Sequence, residues 1–130
     1  VDLREESHGF ADGLPVSWHK DGNLANEGKT PEEVVLDEEE RLAGLLGETT
    51  TFVPKGKTDK RRFEAVTFTP ENVQKEKDVA EAAGFRYVRF YVTDKTQPDT
   101  ETIEAFLDFV ESLPRDAWLH FHCEAGNGRT

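Results

Sequence analysis

The chain has 130 residues, of which 33% are charged and 35% are hydrophobic, and its formal net charge is −11. That length suits one domain with one core, and no apolar run is long enough to span a bilayer. The acidity is spread over both halves, so the phosphate backbone of a nucleic acid would be repelled. A small anionic substrate could still bind where cations gather locally. The single cysteine excludes an internal disulfide bond and raises the question of a reactive thiol.

Both ends of the chain suggest a piece of a longer protein. The chain begins without Met, its first residues (1–4) resemble the end of a strand, and it stops at Thr130, inside its most informative motif. We therefore expect a fragment truncated at both ends, in which a missing leader says nothing about the compartment. We also expect the isolated chain to be poorly folded and inactive, because a supporting helix should follow Thr130.

The first part of the chain predicts a loop-rich segment followed by a helix. Residues 5–29 are rich in Gly, Asp and Asn and predict a loop-rich insertion or part of a small accessory lobe. The sequence Thr30-Pro31-Glu32-Glu33 has the form of a capping box with Pro in the first turn, and Gly47 marks the predicted end of the helix. We expect the acidic run 37–40 to lie on the solvated face.

The middle of the chain predicts three strands and a second helix. The strands are expected at 49–53, 63–68 and 87–92, and the helix from Thr69-Pro70-Glu71 to Gly84. Residues 55–62 (KGKTDKRR) form a basic loop with five cations in eight positions. Two interpretations of this loop stand about even: a pocket wall that attracts a multiply charged substrate, or a solvated hairpin loop.

The last third of the chain predicts a helix at 99–113, from apolar residues at helical spacing, and a strand at 117–121 that leads into Cys123. Strands thus alternate with helices along the chain. That order predicts an α/β layered domain with a largely parallel central sheet flanked by helices.

The residues that follow the last predicted strand have the composition of a phosphate site. Cys123 would supply a thiolate nucleophile, because the neutral thiol is a poor one. The N–H groups of residues 124–129 (Glu124, Ala125, Gly126, Asn127, Gly128 and Arg129) can point inward as an anion-binding nest. Gly126 and Gly128 permit backbone angles that side chains disfavour. An ordinary Gly-rich turn after a buried Cys would explain neither these two glycines nor Arg129.

Three further side chains of this stretch have expected roles. Arg129 can bind two phosphate oxygens in a fork, which Lys cannot do. The hydroxyl of Thr130 could donate to the sulfur of Cys123. His122 is expected to support the loop from behind. His8, His19 and His120 have no clear ligand spacing, so no metal is inferred.

The loop resembles the Cys-x5-Arg signature of the protein tyrosine phosphatase superfamily. The longer stretch DAWLHFHCEAG, together with VDLREESHG, AEAAGFRY and SLPRDAW, closely resembles the bacterial tyrosine-phosphatase-like phytases, also called cysteine phytases. The resemblance implies a single, partial phosphatase domain over residues 1–130 with a tyrosine-phosphatase-like fold. It also implies hydrolysis of myo-inositol polyphosphates (phytate) through a phosphocysteine intermediate, without a metal or other cofactor, by a secreted or periplasmic protein.

A general acid must protonate the leaving oxygen, and Asp94 is the candidate. It follows a predicted buried strand that we expect beside the strand leading to Cys123, so its loop should lie at the ligand-binding edge of the sheet. The resembled family has its acid in a matching Thr-Asp loop with Pro four residues later, as Pro98 is here. An Asp after a strand is otherwise a common turn or helix cap, and Asp99 is a rival that we favour as the cap of the next helix.

The resemblance also suggests two substrate-binding lysines. Lys95 stands where the family has His after the acid, and it keeps a possible phosphate contact. Lys57 stands in the basic loop, from which a Lys contacts substrate in the family.

Two other functions stay open at this point. The substrate could be a phosphotyrosine protein or a phosphoinositide lipid, although the tensin-like lipid phosphatases carry lysines where this loop has Glu124 and Asn127. A catalytically silent phosphate-binding module is the other class. Such modules usually lose the Cys, the Arg or the acid, and candidates for all three are present here.

Overall fold

The computed structural model describes residues 1–55 and 64–130, which form a mixed α/β fold with a parallel sheet and helices, as predicted. The helices run over Pro31–Ala43 (α1), Glu76–Ala82 (α2) and Thr100–Glu111 (α3). The strands of the described part are Asp2–Arg4 (β1), His8–Ala11 (β2), Leu14–Ser17 (β3), Thr50–Phe52 (β4), Val66–Phe68 (β5), Val73–Gln74 (β6) and Arg89–Val92 (β7).

The parallel sheet has β1 at its centre. β1 pairs in parallel with β7 on one side, and on the other side Asp2 forms a parallel bridge with His122. The N–H of Leu3 donates to the carbonyl of His122 at 2.9 Å, and the N–H of His122 donates to the carbonyl of Val1 at 3.1 Å. The carboxyl ends of β1, β7 and the segment before Cys123 therefore meet at one edge, where open α/β sheets bind ligands.

This arrangement corrects two expectations. The predicted strand at 117–121 is not formed: among the described residues this segment makes one β-bridge, at His122, and a hydrogen bond from the amine of Val1 to the carbonyl of His120 at 2.6 Å. The segment before Cys123 also does not lie beside β7, because β1 separates the two. The short β1 takes the central place because both of its edges find parallel partners.

Two antiparallel sheets accompany the parallel one. β2 and β3 form a hairpin inside the predicted loop-rich segment 5–29, and β6 pairs with the other edge of β2. The hairpin turn is Asp12-Gly13, with φ values of 47° and 79°, the left-handed pair that a two-residue hairpin turn requires. β4 and β5 pair over the expected strand regions.

The predicted helix start at Thr69 is wrong, because α2 begins only after Lys75. The carboxylate of Asp12 accepts hydrogen bonds from the N–H groups of Glu71, at 3.1 Å, and Asn72, at 2.8 Å. Gln74 is in turn paired with Phe10 of β2. These partners, about sixty residues away along the chain, hold residues 71–74 in a turn and a short strand where the first turns of the helix were predicted.

Helix α1 begins as predicted, with a complete capping box between Thr30 and Glu33. It ends at Ala43, before the predicted Gly47. Val34 and Leu42 are buried on one face. Glu38, predicted on the solvated face, is buried instead and accepts hydrogen bonds from the N–H of His8 and from Arg89.

Helix α3 is capped by Asp99, whose carboxylate accepts from the N–H of Thr102 at 2.7 Å, as favoured from the sequence. It packs on β7 through Phe106 and Phe109, whose rings lie 5.6 Å and 5.8 Å from that of Phe90. Among the described residues, none of the helices has the length and hydropathy needed to cross a membrane.

A cluster of buried charges connects the parallel sheet to helices α1 and α2. Arg89 donates to Glu38 at 2.9 Å and lies 3.4 Å from the carboxylate of Asp2. His8 lies between Asp2, at 3.2 Å, and Glu76, at 2.8 Å. Burial alone would favour the neutral ring, but the two carboxylates raise the pKa of His8 to about 9.

The cluster predicts a pH dependence of the free energy of unfolding. Because the pKa of His8 is raised from 6.5 to about 9, its stabilising contribution is complete below about pH 6.5 and is lost as the pH rises through about 9. We expect that loss to be on the order of 3 kcal/mol, and to be absent from a His8→Asn variant. Denaturant unfolding across this range measures it, with the exposed His19→Asn as control. A decline of equal size in both variants would contradict the role of His8.

Candidate active site

The loop after the sheet edge holds the sulfur of Cys123 among hydrogen-bond donors. The N–H of Gly126 lies 3.2 Å from Sγ, and the hydroxyl of Thr130 lies 3.3 Å from it. Gly126 has φ 69°, a left-handed angle that the curl of the loop requires and that glycine adopts without strain. The structure thus contains the donor from Thr130 that the sequence suggests.

These donors set the protonation of the thiol. Partial burial would raise the pKa of Cys123, but the hydroxyl of Thr130 and the N–H groups of Gly128, Ala125 and Gly126 lower it from 9.0 to about 6. Hydrogen bonds to sulfur favour the charged form because they stabilise the negative charge. At neutral pH the thiolate, which is the nucleophilic form, therefore predominates.

The guanidinium of Arg129 is almost fully buried, with 1% of the side chain exposed, and it is held by a carboxylate that the sequence analysis missed. Nη1 donates to Glu6 Oε2 at 2.6 Å and Nη2 to Glu6 Oε1 at 2.9 Å. Nη1 also donates to the carbonyl of Val92 at 3.1 Å. Burial would raise the pKa of Glu6, but the hydrogen bonds from Arg129 and the charge of Arg4 lower it.

The pairing with Glu6 leaves part of the guanidinium available. An arginine has five N–H donors, and Glu6 and Val92 take three of those of Arg129. Nε is buried and has no hydrogen-bond partner among the described residues. The remaining donors, on Nε and Nη2, suit two oxygens of one phosphate group. Arg129 can therefore hold Glu6 and a phosphate at the same time.

Asp94 lies next to this arginine. It follows β7, and its carboxylate oxygen lies 3.7 Å from Nε of Arg129. A methyl group placed on Gly128 would lie 4.0 Å from the same oxygen, so the acid reaches the rim of the loop. Lys95 adopts φ 66°, and a methyl group on Gly22 would lie 3.3 Å from its amine. The structure thus brings Asp94 to the loop of Cys123, although β7 is not the neighbour of the segment before it, and it places the amine of Lys95 beside Gly22.

The basic loop is only partly described. Lys57 lies outside the described residues, so its predicted contact with substrate stays a prediction. Lys55, the first residue of that loop, donates from Nζ to Glu124 at 2.9 Å and also contacts Asn23. Glu124, predicted to bind substrate through its N–H, thus also fixes a cation at the rim of the loop. Asn127 and Ala125 are exposed on the loop.

His122 lies behind the loop and contacts the buried cluster. Its Nε2 lies 3.2 Å from Glu76, and its Nδ1 lies 3.9 Å from Asp2. Donor atoms of these three residues lie within 4.8 Å of one another and could hold a metal ion. The cationic His8 already bridges the same two carboxylates, so the cluster has its positive charge without a metal.

Glu6, and Glu5 before it, are acids near the site that the sequence analysis did not single out. Glu5 and Glu6 directly follow the central strand β1, so they lie between the loop of Asp94 and the loop of Cys123. Two adjacent acids that follow a predicted strand end were a usable signal. The sequence did not reveal that this strand lies at the centre of the sheet.

The ion pair predicts the effect of removing Glu6. Breaking one partner of a buried pair leaves an uncompensated charge, which typically costs about 3–5 kcal/mol. We therefore expect Glu6→Ala to lower the free energy of unfolding by an amount of that order and to lower kcat for phosphate release by about 100-fold. Assays of both quantities, with the exposed Glu40→Ala as control, test this. Turnover within twofold of the wild type would show that Arg129 does not depend on Glu6.

The hydroxyl of Thr130 predicts a shift in thiol reactivity. Without this donor the pKa of Cys123 should rise above about 6, so the pH at which alkylation by iodoacetamide becomes fast should move upward in Thr130→Val. Thr130→Ser keeps the donor and should retain the wild-type profile. Mass spectrometry of the peptide that contains Cys123 follows the reaction. Identical profiles for the Val and Ser variants would exclude this role of the hydroxyl.

Comparisons with known proteins identify a family and several relatives of this chain. The model of the PTP-like phytase family matches residues 1–130, and the description of that family reads "Inositol hexakisphosphate". A PTP-like myo-inositol phosphatase from Mitsuokella multacida, solved in complex with myo-inositol-(1,3,4,5)-tetrakisphosphate, superposes with a TM-score of 0.86 at 35% identity over 96% of this chain and 21% of its own. A PTP-like phytase from Bdellovibrio bacteriovorus gives 0.77 at 34% identity, over 96% and 42% of the two chains.

A curated relative is similar over the whole chain. The effector protein hopD2 of Pseudomonas syringae pv. tomato is 30% identical over 137 residues, which is 100% of this chain and 29% of that protein. The chain thus spans less than half the length of each of these relatives. Because the family model matches from the first residue to the last, the chain belongs to the PTP-like phytase family.

Proposed function

We propose that the protein is a phosphatase that removes phosphate from myo-inositol polyphosphates through a phosphocysteine intermediate. The observation that carries the proposal is the sulfur of Cys123, with its pKa lowered to about 6, in a loop whose Arg129 retains two donors that no described residue accepts. Membership of the family and the inositol tetrakisphosphate complex of a relative support the substrate class.

The geometry suits an in-line displacement. The thiolate of Cys123 attacks phosphorus, an S–P bond forms, and the ester P–O bond breaks. Asp94 gives its proton to the departing oxygen, because an inositol alkoxide is a poor leaving group. Water then attacks phosphorus with Asp94 as base, the S–P bond breaks, and phosphate leaves. The N–H groups of the loop and the free donors of Arg129 stabilise the charge on the equatorial oxygens.

The rim of the loop offers room for a substrate larger than phosphate. A cavity of about 570 Å³ lies beside it, and its lining includes Arg4, Trp18, Lys55 and Glu124. Lys55 there forms an ion pair with Glu124, so a cation stands beside the loop. A ring that carries several phosphates could place one in the loop while others meet cations at the rim.

The test uses the full-length protein and a nucleophile variant. We expect phosphate release from phytate, with lower kcat/KM for a phosphotyrosine peptide and for phosphoinositide vesicles, and complete loss of release in Cys123→Ser. The variant should still bind inositol polyphosphate, since the loop and Arg129 are kept. Activity that survives in Cys123→Ser would exclude the mechanism. A higher kcat/KM for the peptide or for the lipid would show that a phosphotyrosine protein or a phosphoinositide, and not an inositol polyphosphate, is the substrate. Binding of inositol polyphosphate without turnover by the wild type would identify a catalytically silent module.

A further inference from the structure

The buried carboxyl of Glu5 has no part in the mechanism above, yet it contacts the loop of the general acid. Only 5% of Glu5 is exposed. The hydroxyl of Thr93, the residue before Asp94, donates to Glu5 Oε1 at 3.0 Å. The other oxygen, Oε2, is buried and has no partner among the described residues. This side chain therefore has one defined partner, and that partner belongs to the loop of Asp94.

Glu5 is well fixed as an anchor. It follows the central strand β1, and its carbonyl accepts hydrogen bonds from Asn26, at 3.2 Å, and from Arg89, at 3.4 Å. The next residue, Glu6, holds Arg129. Two consecutive residues thus point to the two halves of the site, one to the loop of the acid and the other to the phosphate clamp.

Asp94 itself has few restraints. Its carboxylate makes no hydrogen bond with a described residue, and its nearest charged partner is Nε of Arg129 at 3.7 Å. The turn around it is closed by Thr96, whose hydroxyl donates to the carbonyl of Thr93 at 2.9 Å. Lys95 holds a left-handed φ of 66°, which is uncommon for a residue with a side chain. The position of the acid therefore depends on how Thr93 is held.

Several charged groups surround the carboxyl of Glu5. Burial and the neighbouring charge of Glu6 raise its pKa, while the hydrogen bond from Thr93 and the charge of Arg129 lower it. Glu27 adds a further negative charge nearby. The hydroxyl of Thr93 can donate to either protonation state, because Oε1 keeps a lone pair in both. The contact therefore holds the loop without requiring an ionised Glu5.

We propose that Glu5 is a positioning residue for the general acid: through Thr93 it fixes the loop that places Asp94 at the site where the ester oxygen departs. The proposal rests on the proposed function, because it assumes that Asp94 protonates the leaving group. It goes beyond that function by giving a role to a carboxyl that touches neither substrate nor nucleophile.

The leaving group separates this role from a merely structural one. An inositol oxygen needs a proton as it departs, whereas p-nitrophenolate is stable enough to leave with little help from an acid. A displaced Asp94 should therefore slow the formation of phosphocysteine from phytate much more than its formation from p-nitrophenyl phosphate, whereas the later hydrolysis of phosphocysteine is common to both substrates. General loss of structure should slow both substrates to the same degree.

The experiment measures kcat/KM on both substrates for variants of the full-length protein, because kcat/KM reports the formation of phosphocysteine and not its hydrolysis. Glu5→Ala and Thr93→Val should each lower kcat/KM on phytate by about 10- to 100-fold and change kcat/KM on p-nitrophenyl phosphate by less than about threefold. Glu5→Gln and Thr93→Ser keep the acceptor and the donor, so they should retain wild-type turnover. The exposed Thr67→Val serves as the control for a lost hydroxyl.

Two combinations test that the effect passes through the acid. Glu5→Ala and Thr93→Val should not add in the double variant, because both remove the same contact. In an Asp94→Asn background, Glu5→Ala should cause no further loss on phytate. Equal losses on both substrates, or a full additional loss in the Asp94→Asn background, would overturn the positioning role.

The same variants separate this proposal from the proposed function. If Asp94→Asn hydrolyses phytate as fast as the wild type, the acid is misassigned and the proposed mechanism fails. If Asp94→Asn is slow while Glu5→Ala and Thr93→Val remain at the wild-type rate, only the positioning role fails. Should Glu5→Ala not fold, Thr93→Val decides, since it removes the same hydrogen bond with little change of shape.

Discussion

The ion pair between Glu6 and Arg129 is the interaction on which the site depends. It joins residues separated by 123 positions and brings the first strand to the end of the described chain. A guanidinium with 1% exposure could not stand there alone, because an unpaired buried charge is costly. The carboxylate uses two of its five donors and so fixes the plane of the group. The orientation of the donors left for phosphate follows from that plane.

The ion pair in turn rests on a core that is unusually polar for its size. Fully or nearly buried apolar side chains in the described part are few: Ala11, Val34, Leu42, Leu45, Pro70 and Val92. Beside them Arg89, Glu38, Asp2 and His8 satisfy one another beneath the sheet edge. Such networks gain little net free energy over apolar packing, because desolvation offsets the attraction. They do fix direction, and Arg89 also binds the carbonyls of Arg4 and Glu6.

Features set by neighbouring residues could be predicted from the sequence. The capping box at Thr30, the cap at Asp99 and the curl at Gly126 each depend on a few adjacent residues, and all three are present. The donors around Cys123 belong to the same loop, so the chemistry of this cysteine could be predicted from the sequence alone.

Features set by distant partners could not be predicted in this way. The burial of Glu38 depends on Arg89, fifty-one positions away, and charge runs on helices are usually solvated. β6 replaced the predicted helix start because Asp12 and Phe10 supply long-range partners. The central position of β1 was equally hidden, since three residues carry little periodic signal. Glu6 was missed for the same reason: its role follows from the strand that it ends.

The net charge of −11 is a poor guide to the charge at the site. Glu6 accepts hydrogen bonds from both Arg4 and Arg129, Glu124 pairs with Lys55, and Asp2 and Glu76 flank the cationic His8; the distances are 2.6–3.2 Å. Each of these carboxylates is locally compensated. A phosphate that enters the loop therefore meets the free donors of Arg129 and the backbone N–H groups, which attract it. The phosphate also approaches the thiolate of Cys123, and the same donors offset the repulsion between these two anions, which must react.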